Sequence, residues 1–427
     1  MSSIRLCIGV AALLSAAPVW SQSTGQVPLN ELLTRAIENN RDVLAVRQRI
    51  EEAKGLLHQA GIRPAPTLNV GVASGRPLGT VGEQQFSSGV SREFETGGKR
   101  SKRQEVAEKQ LALAEAEYNE RVRQLRYEIL IRYADYASYE SRLRVLDEIL
   151  EANRRSLDLT RARVERGDAA VLEQNLIAVE ISRVEAQRAT VSGQLEAARA
   201  DVSRLMGLES GDIWAVIAPS SSPSLDVVEL RRKALNQRPD LRTLTLLQEQ
   251  GDAATVLAEA EARPNITVSA AYSRVSSRFD DQFGFTPSGQ LTQLRDRDDI
   301  LTVGVSIPLF SRKQNLGNIE ASAARSRAAQ LRKEYLTRAI PLEVDAAWRR
   351  LESSRAALAT LEGQAITLAQ SNLEVIRQAY QLGQLRLLDV LAEQRRVLDM
   401  QIASVDLQTE LRRSMAELER AVGGPIQ

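Results

Sequence analysis

Five short motifs occur twice in this chain in the same order, and this duplication constrains the fold more than any other feature. The matched positions are Leu32 with Leu230, Arg63 with Arg263, Gly89 with Gly304, Gly167 with Gly383, and Gly207 with Gly423. Their separation grows slowly along the chain, as loop insertions would produce. The sequence therefore predicts two equivalent repeats, at residues 22–217 and 226–427, joined by a Ser/Pro-rich linker at residues 218–225.

Within each repeat, the hydrophobic period changes from helical to strand-like and back. Apolar residues alternate with small or polar ones at about residues 66–74, 87–95, 264–274 and 300–310, as Leu68, Val70 and Val72 show. Strands of this length fit the ~9–11 residues that cross a bilayer with one apolar face. A soluble sandwich with phenylalanines in its core is the alternative, but the small, polar second face favours a water-filled lumen.

The remainder of each repeat is predicted to be long helix. A run of 68 residues that starts at Lys99 contains neither Gly nor Pro, and as a helix it would form a rod of about 100 Å. Leucines follow the coiled-coil spacing at Leu143, Leu146 and Leu150. In the second repeat, Pro341 is predicted to kink the corresponding helix. Such rods pack on each other rather than around a globular core.

The first 21 residues are predicted to be a secretion signal. Arg5 provides a short positive region, and the apolar stretch that follows is too short to span a bilayer. A polar, Ser-rich segment comes next, which argues against a buried N-terminal helix. The only cysteine, Cys7, lies within this signal, so the mature protein is predicted to have no disulfide.

Several classes of chemistry lack their residues in this sequence. Lys and Arg total 56 against 55 Asp and Glu, so the net charge does not support nucleic-acid binding. His58 is the only histidine, and a metal site needs clustered ligands. A catalytic triad is not indicated either, because the sequence has one histidine, no cysteine in the predicted mature protein and no serine motif. The sequence therefore predicts a protein that is not an enzyme and holds no cofactor or metal.

Four strands cannot close a membrane barrel, because known single-chain barrels start at ~8 strands. Unpaired strand edges cost several kcal/mol per backbone group in lipid. The chain is therefore predicted to be mainly α with membrane β-strands, and to assemble as a homotrimer. Three protomers would form a 12-stranded barrel in a lipid bilayer, above a long α-helical coiled-coil barrel.

The order of these elements resembles the TolC-like outer membrane factors, and the resemblance covers nearly the whole mature chain. The resemblance rests on the repeat starts around Ala36 and Ala234, the Arg-Pro strand openings and the two Gly-containing hairpins. Residues 95–100, Glu-Thr-Gly-Gly-Lys-Arg, are similar to the strand-to-helix junction of the heavy-metal efflux branch. The resemblance implies a duct that crosses the outer membrane and extends into the periplasm.

The resemblance also implies roles for the tips of the helical hairpins. Residues expected to dock the adaptor are Arg163, Val164, Gly167, Asp168, Gly383 and Gln384. An aperture gate is expected at Tyr380 and Asp389, with Glu173 as the first-repeat counterpart of Asp389. Carboxylates repeated around a three-fold axis would repel each other and attract cations. Alternatively, Asp389 and Glu173 lie on solvated helix faces, and the sequence does not separate these two interpretations.

The predicted function is the passive exit duct of a tripartite pump. It would receive heavy-metal cations from an inner-membrane RND-type transporter through a periplasmic adaptor protein. Drug efflux or type I protein secretion through the same duct is the alternative, because the transporter selects the cargo. A secreted coiled-coil structural protein is a further alternative, which the duplicated amphipathic hairpins disfavour.

Overall fold

The computed structural model of the protein describes residues 27–75, 83–207, 216–217, 226–309 and 311–426. The predicted secretion signal at residues 1–21, with Cys7, and the predicted linker at residues 218–225 lie outside the described residues. Within the described ranges, the chain forms two helix–β-hairpin–helix repeats whose hairpins share one four-stranded sheet. The predicted fold class of the protomer is thereby confirmed.

The elements of the two repeats follow the same order. The first repeat contains β1 (Val27–Pro28), α1 (Leu29–Asn39), α2 (Arg41–Ala60), β2 (Thr67–Ser74), β3 (Glu83–Phe94), α3 (Lys99–Glu165) and α4 (Val171–Met206). After β4 (Val216–Ile217), the second contains α5 (Val227–Gln237), α6 (Pro239–Glu261), β5 (Ile266–Phe285), β6 (Leu291–Ser306), α7 (Ser311–Thr360), a π-helical turn (Leu361–Ala365), α8 (Ile366–Gln381) and α9 (Leu387–Val422). The strands β1 and β4 pair in parallel.

Each repeat has its own hydrophobic cluster, and the two clusters use equivalent positions. In the first repeat, α1, α3 and α4 contribute buried side chains that include Leu32, Leu125, Ile129 and Val202. In the second repeat, α5, α7 and α9 contribute Leu230, Ile340, Val344 and Leu418. Burying each such side chain contributes roughly 2 kcal/mol. The duplication therefore extends from the order of elements to the packing of the core.

A buried polar side chain holds the start of each repeat against its end. Asn40, between α1 and α2, donates from Nδ2 to the Leu205 carbonyl at 2.8 Å. Arg238, between α5 and α6, donates from Nη1 to the Ala421 carbonyl at 3.3 Å and also binds the Asp240 carboxylate. The two repeats thus close on themselves with different side chains at one equivalent position.

The four-stranded sheet is antiparallel, in the order β2-β3-β5-β6, so β3 and β5 join the two repeats. Because side chains alternate along a strand, the register separates two faces. The apolar face contains Leu68, Val70, Val72, Phe86, Val90, Val268, Tyr272, Leu301, Val303 and Val305. The polar face contains Thr67, Asn69, Gly71, Ser87, Gly89, Ser91, Ser269, Ser273, Thr302 and Gly304.

The second hairpin is longer than the sequence predicted. The sequence predicts its strands at about residues 264–274 and 300–310, whereas the observed strands reach Phe285 and restart at Leu291. A register irregularity lies between Arg278 and Phe283. Beyond Tyr272 and Leu301, both faces carry charged or polar residues, so the apolar alternation that marks a strand is lost. Backbone pairing continues without it.

The long helices match the predicted rods. The helix α3 runs for 67 residues, and α4 continues through Gly193. Pro341, the predicted kink, lies inside α7, which continues to Thr360. The α-helical hydrogen-bond pattern changes at the π-helical turn, which contains Gly363. Within the described ranges, no helix combines the length and the mean hydropathy needed to cross a membrane.

The junction between β3 and α3 ties the first repeat to the second. Lys99, the first residue of α3, is buried and donates from Nζ to the Arg263 carbonyl at 2.7 Å and to Asn265 Oδ1 at 2.6 Å. Arg263 belongs to the repeated Arg-Pro motif that opens β5. The helices are thereby fixed below the sheet by a buried ammonium group.

Candidate functional site

The first helical hairpin, α3–α4, ends in a turn that four of the predicted site residues build. The Asp168 N–H donates to the Arg163 carbonyl at 2.8 Å, and the Gly167 N–H donates to the Val164 carbonyl at 2.9 Å. These two bonds define a Schellman motif, which satisfies the last carbonyls of the helix. Gly167 has φ +80°, a left-handed conformation that costs other residues energy. The turn is therefore specified by one glycine.

The second hairpin, α8–α9, ends in the same turn. The Gln384 N–H donates to the Ala379 carbonyl at 2.9 Å, and the Gly383 N–H donates to the Tyr380 carbonyl at 2.9 Å. Gly383 has φ +76°. The side chains of Asp168 and Gln384 are exposed at the equivalent position of the two turns. The six predicted docking residues thus occupy two matching turns.

Three predicted site residues meet between the two tips. The Tyr380 hydroxyl on α8 donates to Glu173 Oε2 on α4 at 2.7 Å. Arg163 on α3 donates from Nη1 to the same hydroxyl at 3.3 Å, and its guanidinium lies 5.7 Å from the centre of the Tyr380 ring. We name these three residues the tip latch, because they connect the first repeat to the second.

The environment of Tyr380 keeps its hydroxyl protonated. Burial raises the pKa of Tyr380 above its ordinary value, and the hydrogen bond to the Glu173 carboxylate raises it further. The nearby Arg163 guanidinium lowers this pKa by less than the other two effects raise it. At neutral pH the hydroxyl is therefore a donor, as the contact with the carboxylate requires.

Asp389 lies at the position of α9 that Glu173 occupies on α4, but it makes a different contact. Both are the third residue of their helix. Asp389 Oδ2 accepts the Arg386 N–H at 3.0 Å, which satisfies a backbone donor at the helix start. The side chain of Asp389 is exposed, whereas Glu173 is half-buried. The structure therefore brings Glu173 to Tyr380 and leaves Asp389 on the surface.

A buried carboxylate that is not among the predicted site residues lies on the same face of α4. Glu180 is 4% exposed, and its oxygens accept hydrogen bonds from Arg183 at 2.6 Å and from Arg395 on α9 at 2.6 Å. Burial opposes the ionisation of Glu180, but these two guanidinium groups outweigh it and lower its pKa. The sequence feature that could have indicated Glu180 is its spacing of seven residues from Glu173, which places both carboxylates on one helix face.

Apolar packing supports these polar contacts. One cluster joins α3, α4 and α9 through buried Leu150, Ile177, Ile181, Leu387 and Leu391, and Tyr380 packs against its edge. The latch therefore rests on a hydrophobic contact between the repeats, and loss of its hydrogen bonds need not unfold the tips.

Nothing in the described part of the chain resembles a metal-binding cluster. No group of three or more His, Cys, Asp or Glu residues could hold a metal ion within these residues. His58 lies exposed on α2. The chemistry of the tips is that of hydrogen bonds and charges between helices.

The sequence also matches the model of a known family. The family is described as "Outer membrane efflux protein", and the match covers residues 32–208 and 230–424, one segment in each repeat. The chain belongs to this family. The predicted resemblance is confirmed, and so are the predicted location in the outer membrane and the predicted function as an efflux duct.

Individual relatives of this outer membrane efflux protein agree with the family assignment. The nickel-cobalt-cadmium resistance protein NccC of Alcaligenes xylosoxydans xylosoxydans is 28% identical over 82% of this chain and 75% of its own length. The pyoverdine export outer membrane protein OpmQ of Pseudomonas aeruginosa is 25% identical over 96% of this chain and 87% of its own length.

A solved structure supports the fold directly. The crystal structure of CusC, described in connection with transmembrane channel formation, aligns with a TM-score of 0.74 at 19% identity. The alignment covers 94% of this chain and 93% of CusC. At this identity, the similarity establishes the fold alone.

Proposed function

We propose that three copies of this outer membrane efflux protein assemble into a closed 12-stranded ring above a helical cylinder. The observation that carries the proposal is the four-stranded sheet, whose outer strands β2 and β6 pair on one side only among the described residues. Lipid does not tolerate such edges, because their N–H and C=O groups would lack partners. A second and a third copy supply those partners.

The exposure of the apolar face supports the same assembly. In the single chain, Val72 is 78% exposed, Leu301 is 74% exposed and Val303 is 70% exposed. A ring whose apolar face points outward places these side chains in lipid, and it places the polar face around a lumen. A soluble sandwich would instead bury the apolar face, so the exposure favours the duct.

At the opposite end, the tip latch would hold the helices in a closed aperture. Tyr380 and Glu173 belong to different repeats, so breaking their contact would loosen the end of the α8–α9 hairpin from α4. The matching turns at Gly167 and Gly383 would form the surface that a periplasmic adaptor protein contacts. Asp389, exposed beside the aperture, would form an acidic ring when repeated by three-fold symmetry.

The proposed cargo is heavy-metal cations, delivered by an inner-membrane RND-type transporter through that adaptor. NccC, a nickel-cobalt-cadmium resistance protein, supports this cargo. OpmQ, a pyoverdine export protein, supports a small organic cargo as the second candidate. The metal cargo and the organic cargo are distinguished by expressing the chain in a strain that lacks it. Growth of this strain is then measured in the presence of nickel, cobalt and cadmium. Restored growth in the presence of a drug, or restored pyoverdine export, without metal resistance would contradict the metal cargo.

The trimer is tested by measuring the mass of the full chain purified in mild detergent. A mass of three protomers, with β content retained in circular dichroism, is expected. Asp389→Ala serves as a matched variant, because its change lies far from the sheet and should leave the mass unchanged. A monomeric mass with intact β content would contradict the proposal.

A further inference from the structure

In the part of the second hairpin that extends beyond the apolar face, most basic side chains lie on one face of the sheet and most acidic side chains lie on the other. Following the register outward, the side chains on the apolar-face side of β5 and β6 are Arg274, Ser276, Arg278, Arg295, Arg297 and Asp299. The polar-face side of β6 carries Asp296 and Asp298. The outward side is therefore strongly basic just beyond the apolar residues, and the lumen side is acidic.

One of these arginines already has an anionic partner. Arg274 Nε donates to Asp299 Oδ1 at 2.7 Å, and the Tyr272 hydroxyl donates to the same oxygen. This group lies level with the end of the apolar face and needs no further ligand.

The other three arginines form no close ion pair among the side chains that the structure describes. Arg278, Arg295 and Arg297, which we name the outer arginine patch, are exposed, and Arg297 interacts at longer range with the charge of Asp299, which Arg274 already binds. Arg278 stands directly opposite Arg295 in the register, and Arg297 lies one diagonal step away. Like charges in directly opposite positions destabilise a sheet, since their Cβ atoms are about 5 Å apart. An anion between them would remove this repulsion.

The position of the patch indicates which anion it meets. Arg297 lies four residues beyond Leu301 on the same face of β6, or about 13 Å along a tilted strand, and an apolar residue returns on this face of β6 at Leu291, beside the hairpin turn. Arginine side chains lean toward the membrane interface while their stems cover apolar surface. If the apolar face contacts lipid as proposed, the patch would face the headgroup layer of the outer leaflet.

We propose that the outer arginine patch binds the phosphate groups of a phosphorylated outer-leaflet glycolipid, one per protomer. Guanidinium groups bind phosphate in a bidentate manner, and basic clusters beside an apolar membrane surface attract anionic headgroups. The acyl chains of the same lipid would lie along Leu301 and Val303 below the patch. The inference rests on the proposed orientation of the apolar face toward lipid.

The test is a titration of the purified full chain with lipid A, a diphosphorylated glycolipid, followed by native mass spectrometry in detergent. Changing Arg278, Arg295 and Arg297 together to Gln is expected to weaken lipid A binding by about tenfold to a hundredfold. Changing the same three residues to Lys keeps the charge and should restore part of the affinity, because only the bidentate geometry is lost.

Arg92→Gln is the matched control. Arg92 is exposed on the same face at the other end of the apolar surface, where it stacks on Phe94 at 5.4 Å. Its loss is expected to leave lipid A binding unchanged. Equal binding by the triple Gln variant, equal loss in Arg92→Gln, or equally tight arginine-dependent binding of phosphatidylglycerol would each overturn the proposal. The mass of the complex is read from the same spectrum, so failure of the lipid site and failure of the trimer are separate results.

Discussion

The two helical tips of this protein share one backbone and differ in one acidic contact. Both turns use the same pair of backbone hydrogen bonds, with glycine in the left-handed conformation at Gly167 and Gly383. The third residue of the returning helix is acidic in both. In the first repeat Glu173 reaches across to Tyr380, whereas in the second Asp389 turns back to its own helix start.

This difference shows which parts of a duplicated unit stay equivalent and which diverge. The backbone of the turn depends on one glycine and on helix geometry, so both copies retain it. The partner of the acidic side chain depends on what the neighbouring repeat presents. Val164 stands where the second repeat has Tyr380, so only one copy supplies an aromatic hydroxyl. The tip latch is therefore asymmetric within each protomer.

The largest effect is expected from Tyr380→Phe, which removes the hydroxyl and keeps the ring. A hydrogen bond to a charged group contributes about 1.5–3 kcal/mol, so the closed state should lose about tenfold or more in population. Conductance of the purified protein in a planar bilayer should rise accordingly. Tyr335→Phe, at a tyrosine that is 74% exposed on α7, is the matched control and should leave conductance unchanged. Equal conductance of Tyr380→Phe and the unaltered protein would remove the latch from the mechanism.

The next effect is expected from Glu180→Gln, which weakens the polar contact between Glu180 on α4 and Arg395 on α9. Loss of the charged hydrogen bonds should cost about 2 kcal/mol and lower the melting temperature of the helices at pH 7. The pKa of Glu180 is lowered in the folded protein, so its stabilising effect is present above the ordinary glutamate pKa and is lost as the pH falls through the folded value.

The difference in melting temperature between Glu180→Gln and the unaltered protein should therefore be full above about pH 5 and shrink below about pH 4. Glu185 lies on α4 like Glu180 and forms an exposed ion pair with Arg154 on α3, so Glu185→Gln should change the melting temperature little. A difference for Glu180→Gln that stays constant from neutral to acidic pH would show that the charge of Glu180 does not matter.

A smaller and equal effect is expected at the two turns. Alanine at either Gly167 or Gly383 would meet no atom within 4 Å, so the cost is that of the backbone conformation alone, roughly 1 kcal/mol each. Gly193→Ala in the middle of α4 also meets open space and should stabilise the helix by about 0.5–1 kcal/mol. The melting temperature of each of the three variants, compared with that of the unaltered protein, measures these changes in stability. Clearly unequal losses at the two turns would contradict their equivalence.

The smallest effect is expected from Asp389→Ala. The helix start loses one cap, which costs about 1 kcal/mol or less, and no contact between the repeats is broken. Conductance should rise less than in Tyr380→Phe, and block by divalent cations should weaken if the acidic ring forms. Should both conductance and cation block stay unchanged, Asp389 would be a helix cap without a role in the gate.

The sequence was informative where one residue or one period determines a local structure. Left-handed turns follow from Gly167 and Gly383, and the membrane part of the strands follows from the alternation that ends near Tyr272 and Leu301. The duplication predicted the equivalent cores, because matching positions recur in order. These features depend on the chain's own neighbours and need no knowledge of packing between distant helices.

The sequence was uninformative where the partner lies far away in the chain. Glu173 and Asp389 looked alike, because their different contacts depend on how α8 lies against α4. Burial of Glu180 was hidden for the same reason, since Arg395 is supplied by the other repeat. The extended end of the second hairpin was missed because charges on both faces remove the strand period, although backbone pairing persists.

Among the residues that the structure describes, the outer edges of β2 and β6 are unpaired, which has a consequence for how the protein is made. The rows of N–H and C=O groups on β2 and β6 that would complete a ring also act as templates for any other strand that arrives first. Beside them, the exposed apolar face offers a second route to aggregation. In a newly exported chain, assembly with other copies of the protein therefore competes with aggregation. Keeping the hairpins shielded until copies meet at the membrane would decide the yield of functional ducts.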